Sequence, residues 1–595
     1  MKFFSVALCL SLCCWSCLAQ DSSGDLDPEP VVVPNPVAEQ GLLTEFLLAE
    51  NPAIDKRIIT LMKKYVTVFN RKPEVSTAIE LRLLRFSTRK EIAGLVATEG
   101  YFSPAIKFES LISNQKRVVT IQLDLGPATK VATVAIDFAG DAVPADLRDS
   151  IKSHWGLPKG AVFRDDDWTR SKNLVLDSLT EKSFASAKIT DSEAVVQDEL
   201  ADLAVDLDSG PAFYIGDLHV AGLRAYKRWL VDRYNPPTKG EPYNRAELLK
   251  FQRELQNSPY FSSVTVSVDP DPANAAAVPV EVLVSERQRH DFGFGAGYGS
   301  NTGARGEVSY RDRNFLDDAY DLRSVIRIEQ RQQIGYTDIY LPPRTSGYLD
   351  SVGVLFHRSD ISGLVTSTSS FGAKRVITDG NIERRLGLSY VYEESTPDGG
   401  SQTLAKALVP SAGWTLRRID NVFAPRKGYI ANLDIAGASR AGLSDQNFIR
   451  LYGKLQYWIP VWSRDVIILR AESGYVIAPS SDGIPEDYLF RAGGTASVRG
   501  YTYQSLGINK DSGVVGGRAL VTGTAEYVHW IDDTWGAAVF VDAGDAKDNF
   551  KELKLAQGIG TGLRYKTPAG PIAIDIAYGK EVKKVRLDFS IGIAF

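Results

Sequence analysis

The sequence predicts three α+β repeats, each with the element order β-α-α-β-β, followed by a transmembrane antiparallel β-barrel of about 16 strands. Three observations support this fold class. A short aromatic motif recurs three times in the N-terminal half. Helical spacing of apolar residues gives way to alternation of period two at about residue 287. The N-terminus has the pattern of an export signal.

The export signal is the first element. Lys2 precedes an apolar stretch over residues 3–18, and Cys17-Leu18-Ala19 offers small residues for cleavage. We predict a signal peptide over residues 1–19 and a flexible segment over 20–40. All four cysteines lie before residue 19, so the cleaved chain would hold no disulfide. Lipidation of one of these cysteines is an alternative, although the residues before Cys13 and Cys17 match a lipoprotein site poorly.

The repeats come next. Phe102, Phe184 and Phe261 recur at intervals of 82 and 77 residues, each after helical spacing and before alternating strands. We predict repeats over residues 41–128, 129–210 and 211–286. The alternative is three unrelated small α/β domains. The similar intervals between the three phenylalanines, and the similar order of helices and strands around them, disfavour it.

The C-terminal half is predicted to be the barrel, over residues 287–595. Its last strand alternates cleanly, with apolar residues from Val585 to Phe595 at every second position. A soluble β-sandwich has the same period. Three features favour a membrane barrel over a soluble sandwich. These are the export signal, the aromatic C-terminal residue and the length of the region, which fits roughly 16 spanning strands. Strands in lipid must pair all backbone groups, so the sheet is expected to close.

The predicted first strand is unusual because every second residue is glycine, and these residues are Gly293, Gly295, Gly297 and Gly299. Glycine adds no side-chain packing and costs backbone entropy in a strand. We therefore predict a weak seam where this strand meets the last strand, residues 586–595.

Signs of catalysis or of nucleic-acid binding are missing from the sequence. The net charge is −5 and the pI about 5.8, which gives no basic surface for nucleic acid. The five histidines are scattered without metal-ligand spacing, and no nucleophile motif is found. We predict a protein that is not an enzyme and has no catalytic site, cofactor or metal site.

The most specific motif lies late in the barrel. A double glycine, Gly493-Gly494, precedes Val498-Arg499-Gly500-Tyr501, and Phe540, Asp542 and Gly544 follow downstream. Together with Gly560-Thr561-Gly562 and Gly570-Pro571-Ile572, these residues resemble the Omp85 superfamily. In that family the tip of a long extracellular loop, with the sequence V-R-G-Y or V-R-G-F, folds back into the lumen. The resemblance implies that the three repeats are POTRA domains.

This motif predicts a specific contact. Asp542 shares a strand face with Ala538 and Phe540, whereas Val539 and Val541 face outward. An arginine in a partly dry lumen needs an acceptor, and a carboxylate suits its planar fork. We predict that Arg499 binds Asp542, which the resemblance also implies. In the alternative, Arg499 lies in a solvated loop and Asp542 is one polar lumen residue among many.

The end of the chain resembles the β-signal that barrel-assembly machinery recognises. Asp588, Ile593 and Phe595 fit that pattern, whereas Ser590 stands where glycine is usual.

Within the superfamily, three repeats ahead of this barrel are most similar to the TamA branch, the outer-membrane subunit of the translocation and assembly module. The resemblance implies an insertase or translocation factor in the outer membrane of a Gram-negative bacterium, with its POTRA domains in the periplasm. It would assist assembly or secretion of outer-membrane proteins such as autotransporters. Implied partners are a TamB-like periplasmic protein anchored in the inner membrane, unfolded outer-membrane clients and outer-membrane lipid.

Two other functions stay open. One is a polypeptide secretion or diffusion pore that conducts through the lumen. The other is a receptor or adhesin, which the lumenal motif disfavours.

Overall fold

The computed structural model describes residues 42–52, 54–113, 116–141, 143–343, 348–567 and 570–591. The predicted signal peptide, the segment 20–40 and the β-signal residues Ile593 and Phe595 lie outside these ranges. Two compact units are present. The first holds the chain up to Asp137 with Ala145–Val175 and Ile189–Asp206, and the second holds Phe138–Pro144, Leu176–Lys188 and the chain from Leu207 onward. In the described residues, no helix is both long and apolar enough to span a membrane.

The first repeat is a four-stranded sheet covered by helices. Its elements are β1 (Leu42–Leu48), α1 (Lys56–Tyr65), α2 (Thr67–Asn70), β2 (Glu74–Ser76), α3 (Ala78–Thr98), β3 (Ala105–Ser113) and β4 (Lys116–Asp124). The strand order is β2-β1-β4-β3, with β1 parallel to β4. A capping box starts α3, because Thr77 and Glu80 each accept from the other's backbone N–H. The core buries Met62, Ile92 and Ile121.

The second repeat has three strands. Its elements are β5 (Lys130–Ala139), α4 (Ala145–Ser153), α5 (Asp165–Thr180), β6 (Lys188–Gln197) and β7 (Leu200–Asp208). Their order in the sheet is β5-β7-β6. The central strand β7 buries Ala201, Leu203, Val205 and Leu207, the period of two that the sequence indicates.

The third repeat has the same plan. Its elements are β8 (Ile215–Ala221), α6 (Trp229–Asp232), α7 (Arg245–Gln256), β9 (Phe261–Val268), a 3-10 turn (Pro272–Ala277) and β10 (Val278–Glu286). The order β8-β10-β9, with β8 and β10 parallel, matches that of the second repeat. The predicted order β-α-α-β-β is confirmed, with the short helix α2 and the strand β2 as additions in the first repeat. The recurring phenylalanines are not equivalent, because Phe184 and Phe261 are buried whereas Phe102 is exposed and Tyr101 packs on the core.

A glycine turn closes the first strand of the third repeat. Gly222 has φ +95° and its α-carbon lies against the carbonyl of Val284, where a Cβ atom would overlap. Gly240 has φ +87° and open space for 4 Å around the point that a Cβ atom would occupy, so it is a matched control. We expect Gly240→Ala to cost about 1 kcal/mol of unfolding free energy from backbone strain, and Gly222→Ala more than about 3 kcal/mol because the overlap adds to the strain. Thermal unfolding of the full chain in detergent measures both, and equal losses would contradict the close approach.

The barrel is a near-closed antiparallel sheet of 16 strands in sequence order, which confirms the predicted fold class. Its strands are β11 (His290–Gly299), β12 (Gly303–Phe315), β13 (Tyr320–Glu329), β14 (Gln332–Tyr340), β15 (Tyr348–Ile361), β16 (Leu364–Asp379), β17 (Ile382–Pro397), β18 (Thr403–Ile419), β19 (Gly428–Ala438), β20 (Phe448–Trp462), β21 (Asp465–Ile477), then the short loop hairpin β22 (Ile508–Lys510) and β23 (Gly513–Val515), then β24 (Ala519–Trp530), β25 (Trp535–Lys547), β26 (Ala556–Thr567), β27 (Gly570–Gly579) and β28 (Lys584–Ile591). The loop hairpin pairs only with itself and is not counted among the 16.

Side chains alternate between the two faces of the barrel sheet. On β25, Ala538, Phe540 and Asp542 are buried, whereas Val539 and Val541 are exposed on the other face. Exposed apolar residues on one face of a strand, beside buried polar residues on the other, are typical of a barrel in lipid.

The third repeat contacts the barrel at the end of β12 and in the turn before β13. The Tyr226 hydroxyl donates to the Arg313 carbonyl at 3.1 Å, and the Tyr260 hydroxyl donates to the Ala319 carbonyl at 2.8 Å. Glu286, the last residue of β10, accepts from the backbone N–H groups of Arg224, Ala225 and Tyr226. The two tyrosine hydrogen bonds hold the third repeat beside the turn between β12 and β13, whereas the Glu286 bonds lie within the repeat itself.

Candidate functional site

The connection between β21 and β24, residues 478–518, is the long loop that carries the V-R-G-Y motif; we call it the lumenal loop. Isolated bridges from Phe490 to Gly517 and from Ala492 to Leu506 bring its two arms together. Gly493 and Gly494 both have positive φ, at +107° and +94°, which turns the chain toward the tip. The tip residues Val498–Tyr501, which we call the latch, are buried.

Arg499 lies in a dry cluster of charges. It is 2% exposed, and Asp542 is 1% exposed. Its Nε donates to Asp542 Oδ2 at 2.8 Å and its Nη2 to Asp542 Oδ1 at 2.9 Å. Its backbone N–H also donates to Asp542, at 3.0 Å. The predicted contact of Arg499 with Asp542 is confirmed as a bidentate pair, and the alternative of a solvated Arg499 is wrong.

Three more charges complete this ion cluster. Arg499 Nη1 donates to Glu526 at 2.9 Å and to Asp575 at 3.0 Å. Arg564 binds the same two carboxylates, with Nη2 to Glu526 at 2.7 Å and Nη1 to Asp575 at 2.6 Å. Two arginines and three carboxylates thus bind each other where water is scarce, with one negative charge in excess.

The other predicted acceptor residues also contact the latch. The Phe540 ring lies under the Arg499 guanidinium, whose Cζ is 3.3 Å from the ring centroid. Gly544 leaves room for Val498, since a Cβ there would lie 2.9 Å from Val498 Cγ2. Phe540, Asp542 and Gly544 therefore lie together around the latch. Their role in holding it stays a prediction.

The latch and the residue after it contact the last two strands and the turn between them. The Gly500 N–H donates to Asp588 Oδ2 at 3.4 Å, and Arg586 donates to Thr502 at 3.2 Å. The Tyr501 hydroxyl donates to Glu581, and Gly500 has φ +89° against the backbone of Gly579, where a side chain would not fit. Asp588, which the sequence assigned to the β-signal, is therefore also a latch contact. Ile593 and Phe595 lie outside the described residues.

Sequence reasoning missed Glu526, Arg564 and Asp575 as members of this cluster. The sequence does carry one signal for these residues, the period of two along their strands. Each of them occupies an inward position beside outward apolar residues. A charge at an inward position is ordinary in a barrel lumen. Only the pairing of β24 with β25 and of β26 with β27 brings these positions together around Asp542.

The two edges of the barrel sheet are β11 and β28, and we call their junction the seam. In the described part of the chain, no backbone ladder joins these strands; β11 pairs with β12 and β28 with β27. Ser300, just after β11, bridges the seam by accepting from the Phe589 N–H at 3.1 Å and donating to the Phe589 carbonyl at 3.2 Å.

The predicted seam glycines, Gly293, Gly295, Gly297 and Gly299, all lie in β11. Phe292, Phe294 and Tyr298 alternate with them and are exposed, so the opposite face of the strand carries no side chain from Gly293 to Gly299. The lumenal loop contacts both sides of the seam, because Asn301 donates to Thr495 at 3.0 Å while Asp588 accepts from Gly500. A seam of this kind holds fewer backbone bonds than any neighbouring strand pair.

The site has no arrangement that indicates metal binding. Within the residues that the structure describes, no group of three or more His, Cys, Asp or Glu side chains could hold a metal ion. The carboxylates of the ion cluster are all taken by arginines.

Comparison with known proteins agrees with the loop motif and the barrel. The family model of the Omp85 superfamily domain matches residues 290–595. The structure of BamA from Haemophilus ducreyi lacking POTRA domains 1–3 is similar, with a TM-score of 0.66, 18% identity, and coverage of 78% of this chain and 98% of that one. CdiB from Escherichia coli is more distant, with a TM-score of 0.43, 13% identity, and coverage of 78% and 89%.

The family match extends over more than half of the chain, and it includes the strands, the lumenal loop and the ion cluster described above. On this evidence the chain belongs to the Omp85 superfamily.

Proposed function

We propose that this chain is an outer-membrane insertase or translocation factor of the TamA type, which assists the assembly or secretion of outer-membrane proteins such as autotransporters. The observation that carries the proposal is the seam. Its two strands are joined in the described residues by the Ser300–Phe589 contacts rather than by a ladder. Parting such a seam costs few hydrogen bonds, and the freed strand edges are templates for an incoming strand.

The lumenal loop supports a sideways route over a route through the lumen. Arg499 is anchored to three carboxylates on β24, β25 and β27. A polypeptide passing through the lumen would have to displace this loop and leave buried charges without partners, which is costly. An opening at the seam requires no break in the bonds between Arg499 and these carboxylates.

The N-terminal repeats supply further strand edges. The outer strands are β2 and β3 in the first sheet, β5 and β6 in the second, and β8 and β9 in the third. Extended segments bind such edges by backbone hydrogen bonds. We propose that unfolded clients and a TamB-like protein anchored in the inner membrane bind there. In this proposal the barrel lies in the outer membrane, the repeats lie in the periplasm, and no catalysis takes place.

A disulfide across the seam tests the proposal. We expect a Ser300→Cys, Phe589→Cys variant, oxidised, to lose most of its client assembly, and a reductant to restore it, because the cross-link holds the seam shut. Assembly is measured as the protease-resistant, folded fraction of an autotransporter client in cells that depend on the variant. The only native cysteines precede residue 19, so they do not compete once the predicted signal peptide is removed.

A second cross-link is the matched control. Thr366 and Ser395 face each other on the paired strands β16 and β17. A disulfide there, made with Thr366→Cys and Ser395→Cys, should leave assembly unchanged, since it does not cross the seam. Full activity of the oxidised Ser300–Phe589 variant would show that lateral opening is wrong.

The secretion or diffusion pore is the competing function. It predicts large, steady conductance of the purified protein in planar bilayers, whereas an insertase with an anchored lumenal loop should conduct little. The same oxidised seam variant separates the two, because a lumenal route would tolerate the cross-link.

A further inference from the structure

A cavity of about 260 Å³ lies in the barrel, beside the ion cluster and away from the seam strands. The larger apolar side chains of its wall are Trp458, Val466, Ile468, Val528 and Trp530. Its polar lining includes Arg426, Arg470 and Lys566, none of which belongs to the ion cluster. The cavity therefore combines aromatic and aliphatic surface with three additional cations.

These three cations differ in what they contact. The Lys566 ammonium lies over the Trp530 ring, 3.9 Å from its centroid. Arg426 is held by its Nη2, which donates to the Ser463 carbonyl, while its buried Nε has no partner. A buried donor without an acceptor is costly, and an anion in the cavity would satisfy it.

The local charges favour an anion. The cavity is lined by five cations, Arg426, Arg470, Arg499, Arg564 and Lys566, and by two carboxylates, Glu526 and Asp575. Asp542, which binds Arg499, adds a third carboxylate at the edge of the ion cluster. Five positive charges against three negative ones leave an excess of two. Charge of one sign on a partly enclosed, apolar wall concentrates ions of the other sign.

We propose that this cavity binds an aromatic carboxylate, with its ring against the apolar wall and its carboxylate on Arg426, Arg470 and Lys566. The volume lies slightly below the roughly 300–1,000 Å³ of pockets for drug-sized ligands, so one ring and one carboxylate is a suitable size. Guanidinium groups match carboxylate geometry, and tryptophan offers a flat apolar face. Such a ligand has two sources, a free aromatic acid or the C-terminal aromatic residue of a polypeptide.

Isothermal titration of the purified full chain in detergent tests the site, with N-acetyl-phenylalanine as the probe. We expect saturable binding of the acid and none of N-acetyl-phenylalanine amide, which lacks the charge. Arg470→Gln and, separately, Lys566→Gln should each weaken binding about tenfold or more through loss of a charge-assisted hydrogen bond. Heat-modifiable gel mobility shows that each variant is folded.

The control is Arg327→Gln, because Arg327 is a barrel arginine outside the cavity that is already paired with Glu307 at 2.6 Å. It should bind the acid as the native chain does. Equal binding of acid and amide, unchanged affinity in folded Arg470→Gln and Lys566→Gln, or equally tight binding of inorganic phosphate would each overturn the proposal.

A short peptide that ends in free phenylalanine distinguishes the sources. Binding at least as tight as that of the small acid, lost on C-terminal amidation, assigns the site to polypeptide ends; binding of the small acid alone assigns it to free acids. Only the first assignment rests on the proposed function. The titration needs no client assembly, so failure of the seam experiment and failure of this site are separate results.

Discussion

Replacing Arg499 by alanine is expected to destabilise the barrel more than any other single change at a loop residue. The substitution leaves Asp542 without its side-chain partner and removes one of the two arginines on Glu526 and Asp575. Breaking a buried ion pair by deleting one partner costs about 3–5 kcal/mol, since the remaining charges stay desolvated. Loss of the Phe540 contact adds to this.

The measurement is a denaturant titration of the purified protein in detergent, which gives the free energy of unfolding. Arg491→Ala is the control, because Arg491 belongs to the same loop but its side chain makes, among the described residues, a single hydrogen bond, to the Val514 carbonyl at 3.3 Å. We expect the Arg491 variant to lose about 1 kcal/mol. Equal tolerance of both substitutions would mean that the ion cluster does not hold the loop, and the latch role would be abandoned.

Replacing Asp542 by asparagine is expected to destabilise the native chain but to stabilise the Arg499→Ala variant. In the native chain the substitution breaks the bidentate pair, in which the Asp542 carboxylate accepts hydrogen bonds from both Nε and Nη2 of Arg499. In the Arg499→Ala background the same carboxylate is buried and unpaired, so removing its charge relieves a penalty. The sign of the effect therefore reverses between the two backgrounds.

A double-mutant cycle measures this reversal. The four proteins are the native chain, both single variants and the double variant, and the coupling free energy should be about 1–3 kcal/mol or more. Thr524→Ala is a useful third background, because Thr524 is the cross-strand partner of Asp542 but does not bind Arg499. Additive losses in the Arg499 and Asp542 cycle would show that the pair contributes little, whatever its geometry.

Contacts of the lumenal loop link these experiments to the seam. Thr495 binds Asn301 beside the first strand, and Gly500 binds Asp588 in the last strand. The same short segment thus contacts both strand edges, while Arg499 fixes it to β24, β25 and β27. Variants that loosen the ion cluster are therefore informative on seam opening as well as on stability.

Much of the fold could be predicted from the sequence because it depends on local periodicity. The spacing of three and four predicts α1, α3, α5 and α7, and the spacing of two predicts the barrel strands. The first strand, predicted from its glycines, is β11, and Asp542 faces inward as its neighbours indicated. The period of two fixes the face of every residue in a strand without any knowledge of its partners.

The ion cluster shows where local information ends. Glu526, Asp542, Arg564 and Asp575 could each be assigned to the lumen, but not to each other, because their distances depend on strand register and on how the sheet curves. The contact of Arg499 with Asp542 is predicted from a family resemblance and from the chemistry of carboxylates. The other two carboxylates and the second arginine follow only from the pairing of β24 through β27.

The amino-acid sequence by itself determined the element types, the inward or outward direction of each barrel side chain and the position of the latch motif, since these depend on neighbours along the chain. The tertiary structure alone decided which charges meet Arg499, which cations surround the cavity, and that Ser300 rather than a ladder joins the seam strands. Those contacts join residues far apart in sequence, such as Ser300 and Phe589, and no local pattern encodes the closure that brings them together.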